Sequence, residues 1–189
     1  MLMKLEVLVI TGNPGVGKHT VGRMLARKLR MKLVDINKVA LERGAIIKKD
    51  RLGYVVDLRK LSRILKKVSD DSLVVGHLAP YVLDRNADLV IVLRRSPYEL
   101  EQVYGRRGYS RQKSADNISS EIIGVCIYDA IKKFGRKKIA EVDSTEKNAE
   151  RVVGEIISIM QGKSVRPAGR VDWLAVITKN DDLHKFFEY

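Results

Sequence analysis

Residues 10–20 read Ile-Thr-Gly-Asn-Pro-Gly-Val-Gly-Lys-His-Thr. An apolar stretch, Leu5 with Val7 to Ile10, precedes this run, and an amphipathic one follows it. Strand, glycine-rich turn and helix in that order form the context of a phosphate-binding loop. Gly12, Gly15 and Gly17 free the backbone to turn its N–H groups inward. Lys18 places a cation beside them, and the helix that follows aims its positive end at the same spot. A plain glycine turn between strand and helix accounts for one or two of the glycines. It does not account for Pro14 and Lys18 beside them.

Working outward, short apolar runs alternate with amphipathic ones. Strands are expected at Leu5–Thr11, Lys32–Ile36, Ser72–His77, Asp88–Leu93 and Lys138–Val142. Their near-continuous apolar character suits parallel strands covered on both faces. Helices are expected at Lys18–Leu29, Asn37–Glu42, Asp57–Val68, Pro97–Arg106, Asn117–Phe134 and Glu146–Gln161. Asp116 is placed to cap the fifth of these, and Asp143 or Ser144 the last. The rhythm implies an α/β domain with a doubly wound, parallel, five-stranded sheet over residues 1–165, followed by a tail over 166–189. Two segments interrupt it. Arg43–Tyr54 is basic without clear periodicity, and Arg106–Ala115 is a second basic run. In the tail, Trp173 is expected to dock on the core.

The chain has 189 residues and a formal charge of +13. Residues 1–68 hold 17 basic and 5 acidic side chains, and residues 94–138 hold 11 and 5. Nucleotides alone need only a few cations. The excess fits either a polyanionic partner, RNA first, or the solvated surface of a lysine-rich protein. No apolar run approaches membrane-span length and no charged-then-apolar leader precedes the first strand, so a cytoplasmic protein without membrane contact is expected. The single cysteine, Cys126, excludes a disulfide framework and reads as a small core residue.

Details of the loop narrow its use. A general phosphate loop carries Ser or Thr directly after the lysine to ligate Mg²⁺. Here His19 stands there and Thr20 follows. Gly-x-Pro-Gly-x-Gly-Lys-x-Thr resembles the loop of adenylate kinases and related nucleoside-monophosphate (NMP) kinases, which implies Mg²⁺ held through phosphates and water, with no protein ligand. Such chemistry needs a second set of cations and a lid that excludes water. Arg106, Arg107, Arg111 and Lys113, with Gly108 as a hinge, fit that lid.

A closer resemblance rests on Val92-Leu93-Arg94, on Arg107-Gly108-Tyr109-Ser110 with Lys113 and Asp116-Asn117-Ile118, and on Val75-Gly76-His77-Leu78. These blocks are similar to the small adenylate kinases that double as ribosome-assembly ATPases, the adenylate kinase isoenzyme 6 type (the coilin-interacting nuclear ATPase of animals). The chain is identified as an archaeal member. The resemblance implies an NMP-kinase fold with a short lid at about 106–116 and an NMP-binding region at about 35–60. It implies ATP and Mg²⁺ as cofactors, adenylate kinase and ATPase activity, and a role in late maturation of the small ribosomal subunit. The implied partners are a small-subunit ribosomal protein and rRNA. Carried over by position, Gly15, Gly17, Lys18, His19, Thr20 and Arg107 would bind ATP. Lys18, Arg107 and His77 would be catalytic, and Asp35, Arg43 and Asp57 would line the NMP site. Read from its place alone, His77 at a strand's carboxyl end is either functional or simply hydrogen-bonded at the sheet edge. Two positions depart from the family pattern: Val75 stands where an acidic residue precedes that histidine, and Leu41 where eukaryotic members place an arginine. The departures admit a second reading, an ATP-gated assembly factor with little kinase turnover. A third, a shikimate- or cytidylate-type kinase, is opposed by the Arg-Gly-Tyr block.

Overall fold

The computed structural model describes residues 5–50, 53–66 and 71–187. Strand β1 (Val7–Thr11) leads through the glycine-rich turn into α1 (Lys18–Leu29), β2 (Lys32–Asp35) and α2 (Ile36–Glu42). A hairpin, β3 (Ile46–Asp50) and β4 (Gly53–Val56), precedes α3 (Leu58–Leu65), β5 (Ser72–Val75) and α4 (Ala79–Val82). Then come β6 (Leu89–Arg94), α5 (Pro97–Arg106), α6 (Arg111–Ile122), α7 (Val125–Phe134), β7 (Ile139–Asp143) and α8 (Ala149–Met160). Two short helices, α9 (Trp173–Lys179) and α10 (Leu183–Phe186), end the described chain.

Five strands form one parallel sheet in the order β2-β5-β1-β6-β7. Side-chain alternation sends Leu8 and Ile10 of β1 into one apolar layer with Leu25, Leu100 and Ile156, and Val9 into the other with Ile36, Leu61 and Ile127. Both faces are therefore covered, which is why these strands carry no polar face to read. β1 lies between β5 and β6, so the connections leave it in opposite directions. The carboxyl ends of the central strands form the crevice where such sheets bind ligands. Among the described residues no helix is long and apolar enough to cross a membrane.

The doubly wound fold matches the expectation; several boundaries do not. The basic stretch expected to lack regular structure is the β3–β4 hairpin, with Arg51 and Leu52 outside the described residues. Its register shifts between Ile46 and Lys48, and that bulge erases the period of two by which a strand is read. The expected helix Asn117–Phe134 is two helices broken at Gly124 (φ 73°). The first begins earlier, at Arg111, capped by Ser110 rather than Asp116. Its buried apolar residues step from Ile118 to Ile122 and then by five to Ile127, the irregularity that marks the break. Asn148, rather than Asp143 or Ser144, caps α8. The third expected helix ends at Leu65, and Val68 lies outside the described residues. Trp173 docks as expected and is buried.

Candidate active site

The phosphate loop is fixed from below and from one side. A Cβ on Gly12 would meet the Leu93 carbonyl oxygen at 2.3 Å, with φ at 137°, so only glycine lets the loop leave β1 this close to β6. The Tyr104 hydroxyl donates to the Pro14 carbonyl at 2.6 Å, and the Arg95 guanidinium to the Gly15 carbonyl at 3.3 Å. Gly17 precedes α1 without a side chain to cap it, and the first turn of α1 holds no acidic residue. Its N–H groups and positive end are thus kept for an anion.

Lys18 is buried, and its Nζ donates to the Asn13 carbonyl at 3.0 Å. Burial lowers its pKa from 10.5 to about 8, with Arg107 pushing the same way and Cys126, Asp35 and Glu121 opposing. Burial thus makes the charged form of this lysine costly in the free protein. An incoming phosphate would relieve the strain. His19 Nδ1 lies 2.9 Å from Asp35 Oδ2 at the end of β2, and the other oxygen of Asp35 caps α2 through the Asn37 and Lys38 N–H groups. Burial works to raise the Asp35 pKa, yet the bonds from His19, Lys38 and Asn37 outweigh it and hold the carboxyl below its usual range. Asp35 is in register with Val75 on β5, so a carboxylate stands one strand away from the position where the family pattern would place one. Beyond β5, burial and then the charges of Lys18 and His19 lower the His77 pKa to about 4, so this imidazole is neutral near pH 7.

One cavity of about 720 Å³ brings Lys18, His19 and His77 together, while Asp35, expected at the NMP site, does not line it. Gly15, Gly17, Lys18, His19 and Thr20 form one wall, with His77 beside them. The opposite wall is the hairpin and its neighbours: Leu41, Ile46, Tyr54, Val56 and Leu58, with Asn37 as its amide. Arg107, at the end of α5, and Lys113, in the first turn of α6, also line the cavity. Lys113 Nζ lies 4.3 Å from the Tyr109 ring centroid, and Tyr109 stacks on Tyr104. A Cβ on Gly53 would stand 3.7 Å from the same Nζ, so the start of α6 comes close to the hairpin beside the cavity.

Other expected residues lie elsewhere. Arg106 lines a separate hollow of about 510 Å³ with Arg95, Gln102 and Thr145. Gly108 (φ 64°) turns the chain between α5 and α6 but does not line the cavity, nor does Arg111. Asp57 caps α3 by accepting from the Lys60 N–H at 2.9 Å, and exposed Arg43 ends α2; neither lines the cavity. Among the described residues no group of three or more His, Cys, Asp or Glu could hold a metal ion.

Comparison with known proteins places the chain in a family. Residues 8–124 match the profile of a family described as "AAA domain". The chain is 39% identical over 173 residues to the "Putative adenylate kinase" of Pyrococcus furiosus, covering 90% of this chain and 92% of that protein. To the protein of the same name in Methanococcus maripaludis it is 34% identical over 176 residues, covering 89% and 95%. The chain belongs to this archaeal adenylate kinase family. Two solved kinases share the fold. A shikimate kinase from Bacteroides thetaiotaomicron superposes with TM-score 0.55 at 20% identity, over 83% of this chain and 99% of that one. A gluconokinase from Sinorhizobium meliloti does so with TM-score 0.52 at 15% identity, over 85% and 94%.

Within this adenylate kinase framework, some residues at or behind the cavity carry no individual signal in the sequence. Tyr54 and Asn37 sat in segments without a readable motif. Asn13 was passed over inside the loop itself. Glu121 and Glu141, with Arg94, are charges set into apolar stretches and buried by the fold. That interruption was the available signal, since an unpaired charge is not left in a core.

Proposed function

We propose that the protein transfers the ATP γ-phosphoryl group to AMP or another NMP, with ATPase activity when no acceptor is bound. The observation that carries this reading is one cavity with two unlike linings, one suited to a polyphosphate and one to a flat apolar ring. The phosphate loop and Lys18 would take the donor's β- and γ-phosphates, and Arg107 would add charge where it develops during transfer. Tyr54, Leu41 and Leu58 would pack the acceptor base. Lys113, next to Gly53 of the hairpin, would face the acceptor phosphate, since Arg43 lies outside the cavity. Neutral His77 can donate or accept a hydrogen bond there without adding charge.

The donor set suits Mg²⁺ held through water and phosphate oxygens: His19 replaces the hydroxyl, and Asp35 is the nearby carboxylate. Bound Mg²⁺ would neutralise charge on the β- and γ-phosphates. The protein's own part is to position both phosphates and exclude water, with the lid over the hairpin.

The test is NDP formation by the purified protein from MgATP and each NMP. Formation well above a Lys18→Ala control is expected. Parity with that control overturns the reading. The positive balances of residues 1–68 and 94–138 favour a second use of the same ATP cycle, in maturation of the small ribosomal subunit with rRNA and a ribosomal protein as partners. Co-purification of small-subunit RNA or protein, dependent on nucleotide, is the expected result. Its absence with and without nucleotide contradicts that use.

A further inference from the structure

Four buried charges lie behind the phosphate loop. Lys18, Arg94, Glu121 and Glu141 are each at most 4% exposed, and two cations match two carboxylates. Arg94 Nε donates to Glu121 Oε1 at 2.7 Å, its Nη1 to Glu141 Oε1 at 2.5 Å, and its Nη2 to the Glu121 carbonyl at 2.7 Å. Glu121 Oε1 also accepts from the Arg95 N–H at 3.1 Å and from the indole N–H of Trp173 at 3.1 Å. Its other oxygen accepts from the Asn13 side-chain amide at 2.7 Å. The Asn13 amide oxygen accepts in turn from Ser120 Oγ and Cys126 Sγ, and the Asn13 main-chain carbonyl accepts Lys18. One carboxylate thus reaches from the tail to the loop residue that orients the buried lysine.

The tail is tied to the same cluster. Glu141 Oε2 accepts from the N–H groups of Gly169, Arg170 and Val171 at 2.9, 2.7 and 3.2 Å. The Glu141 N–H donates to the Arg166 carbonyl at 2.9 Å. A buried carboxylate with this many donors fixes their positions as firmly as they fix its own. Two unconnected uses, holding a tail and holding a phosphate loop, therefore share one set of atoms.

We propose that Glu121 is a positioning residue for the phosphate loop, acting through Asn13, and that Trp173 of the C-terminal segment serves the nucleotide site by holding Glu121 in place. The role concerns ATP binding alone and stands whether or not an NMP accepts the phosphoryl group. Lys18 also senses Glu121 as a charge. Facing Lys18 are Arg107 from the lid, Asp35 from β2, Cys126 from α7, Glu121 from α6 and His77 beyond β5. Of these, Glu121, Asp35 and Cys126 favour the charged lysine, and Arg107 opposes it. Removing the Glu121 charge must therefore lower the Lys18 pKa.

The test uses the full chain carrying Trp173→Phe, Asn13→Ala or Glu121→Gln. ATP affinity is followed by calorimetry from pH 6 to 9, and folding by thermal melting. Trp173→Phe keeps the ring packing and loses one bond, so about a threefold weaker ATP affinity is expected. Asn13→Ala cuts the link itself and is expected to weaken ATP binding about tenfold. Glu121→Gln is expected to move the alkaline loss of affinity to lower pH, which a purely structural role would not do. If Glu121→Gln fails to fold, the other two variants decide. Folded Trp173→Phe and Asn13→Ala proteins with the parent's affinity overturn the proposal. So does a fall in melting temperature with affinity unchanged.

Discussion

The two walls of the cavity are built on opposite principles. The phosphate-loop wall is backbone locked by glycine geometry, backed by Tyr104 and Arg95 and by a buried cation. The hairpin wall is a pair of short, bulged strands beside α2, with Tyr54 of β4 51% and Leu41 of α2 50% accessible. One wall has its binding energy stored in advance as a strained ammonium. The other has apolar surface, and the cation beside it is Lys113 of α6. The contrast teaches that one wall is fixed by the fold itself and the other is left as exposed side chains; on the proposed reading the first takes the donor and the second the acceptor.

The largest effect should come from removing the stored charge. Lys18→Met is expected to cut phosphoryl transfer by about a thousandfold or more. It should also raise the melting temperature of the unliganded protein by several degrees, because the cost of burying an ammonium disappears. Steady-state kinetics and calorimetric melting read the two halves. Loss of activity with a lower melting temperature would break the comparison. For the same reason, stability of the unliganded protein should rise with pH. The folded-state Lys18 pKa lies near 8 and its ordinary value at 10.5, so the folded state sheds its proton first and gains stability between the two. Denaturant melts across that window test the sign.

Glycine substitutions separate the rigid wall from the lid. Gly12→Ala places a Cβ against the Leu93 carbonyl and should cost about 3 kcal/mol in denaturant melts. Gly108→Ala has open space around it and only its positive φ to oppose it, so about 1 kcal/mol is expected. Equal losses would mean that the two regions are equally constrained.

Lys113→Met should raise the KM for the acceptor NMP about tenfold and leave the KM for ATP within about twofold. Leu41→Arg supplies the hairpin wall with the cation it lacks and should lower the acceptor KM about threefold. Initial-rate kinetics with each substrate varied in turn measures both. Equal changes in the two KM values for Lys113→Met would place this lysine on the donor side.

The fold was legible because its strands are buried on both faces and its phosphate loop has a motif. Leu8, Val9 and Ile10 could be read as a parallel strand from three residues. The rigid wall was legible for the same reason, since a backbone trap is written in glycines. The hairpin wall was not. Its strands are four and five residues long, a bulge removes their alternation, and β3 carries Lys48 and Lys49 side by side where an apolar position would mark a strand. The carboxylates expected to bind the acceptor were drawn off by local chemistry, Asp57 into a helix cap and Asp35 into a cap and an ion pair. Asn13, Glu121 and Trp173 meet across 160 residues of chain, and no local spacing connects them.

A crystal structure with a bisubstrate mimic, two adenosines joined by five phosphates, tests the division of labour most directly. One end of the phosphate chain should lie on Gly15, Gly17 and Lys18. The other end should lie within ion-pair distance of Lys113, with its adenine against Tyr54. A mimic that leaves the hairpin wall bare, or meets its second phosphate group without Lys113, would contradict that division.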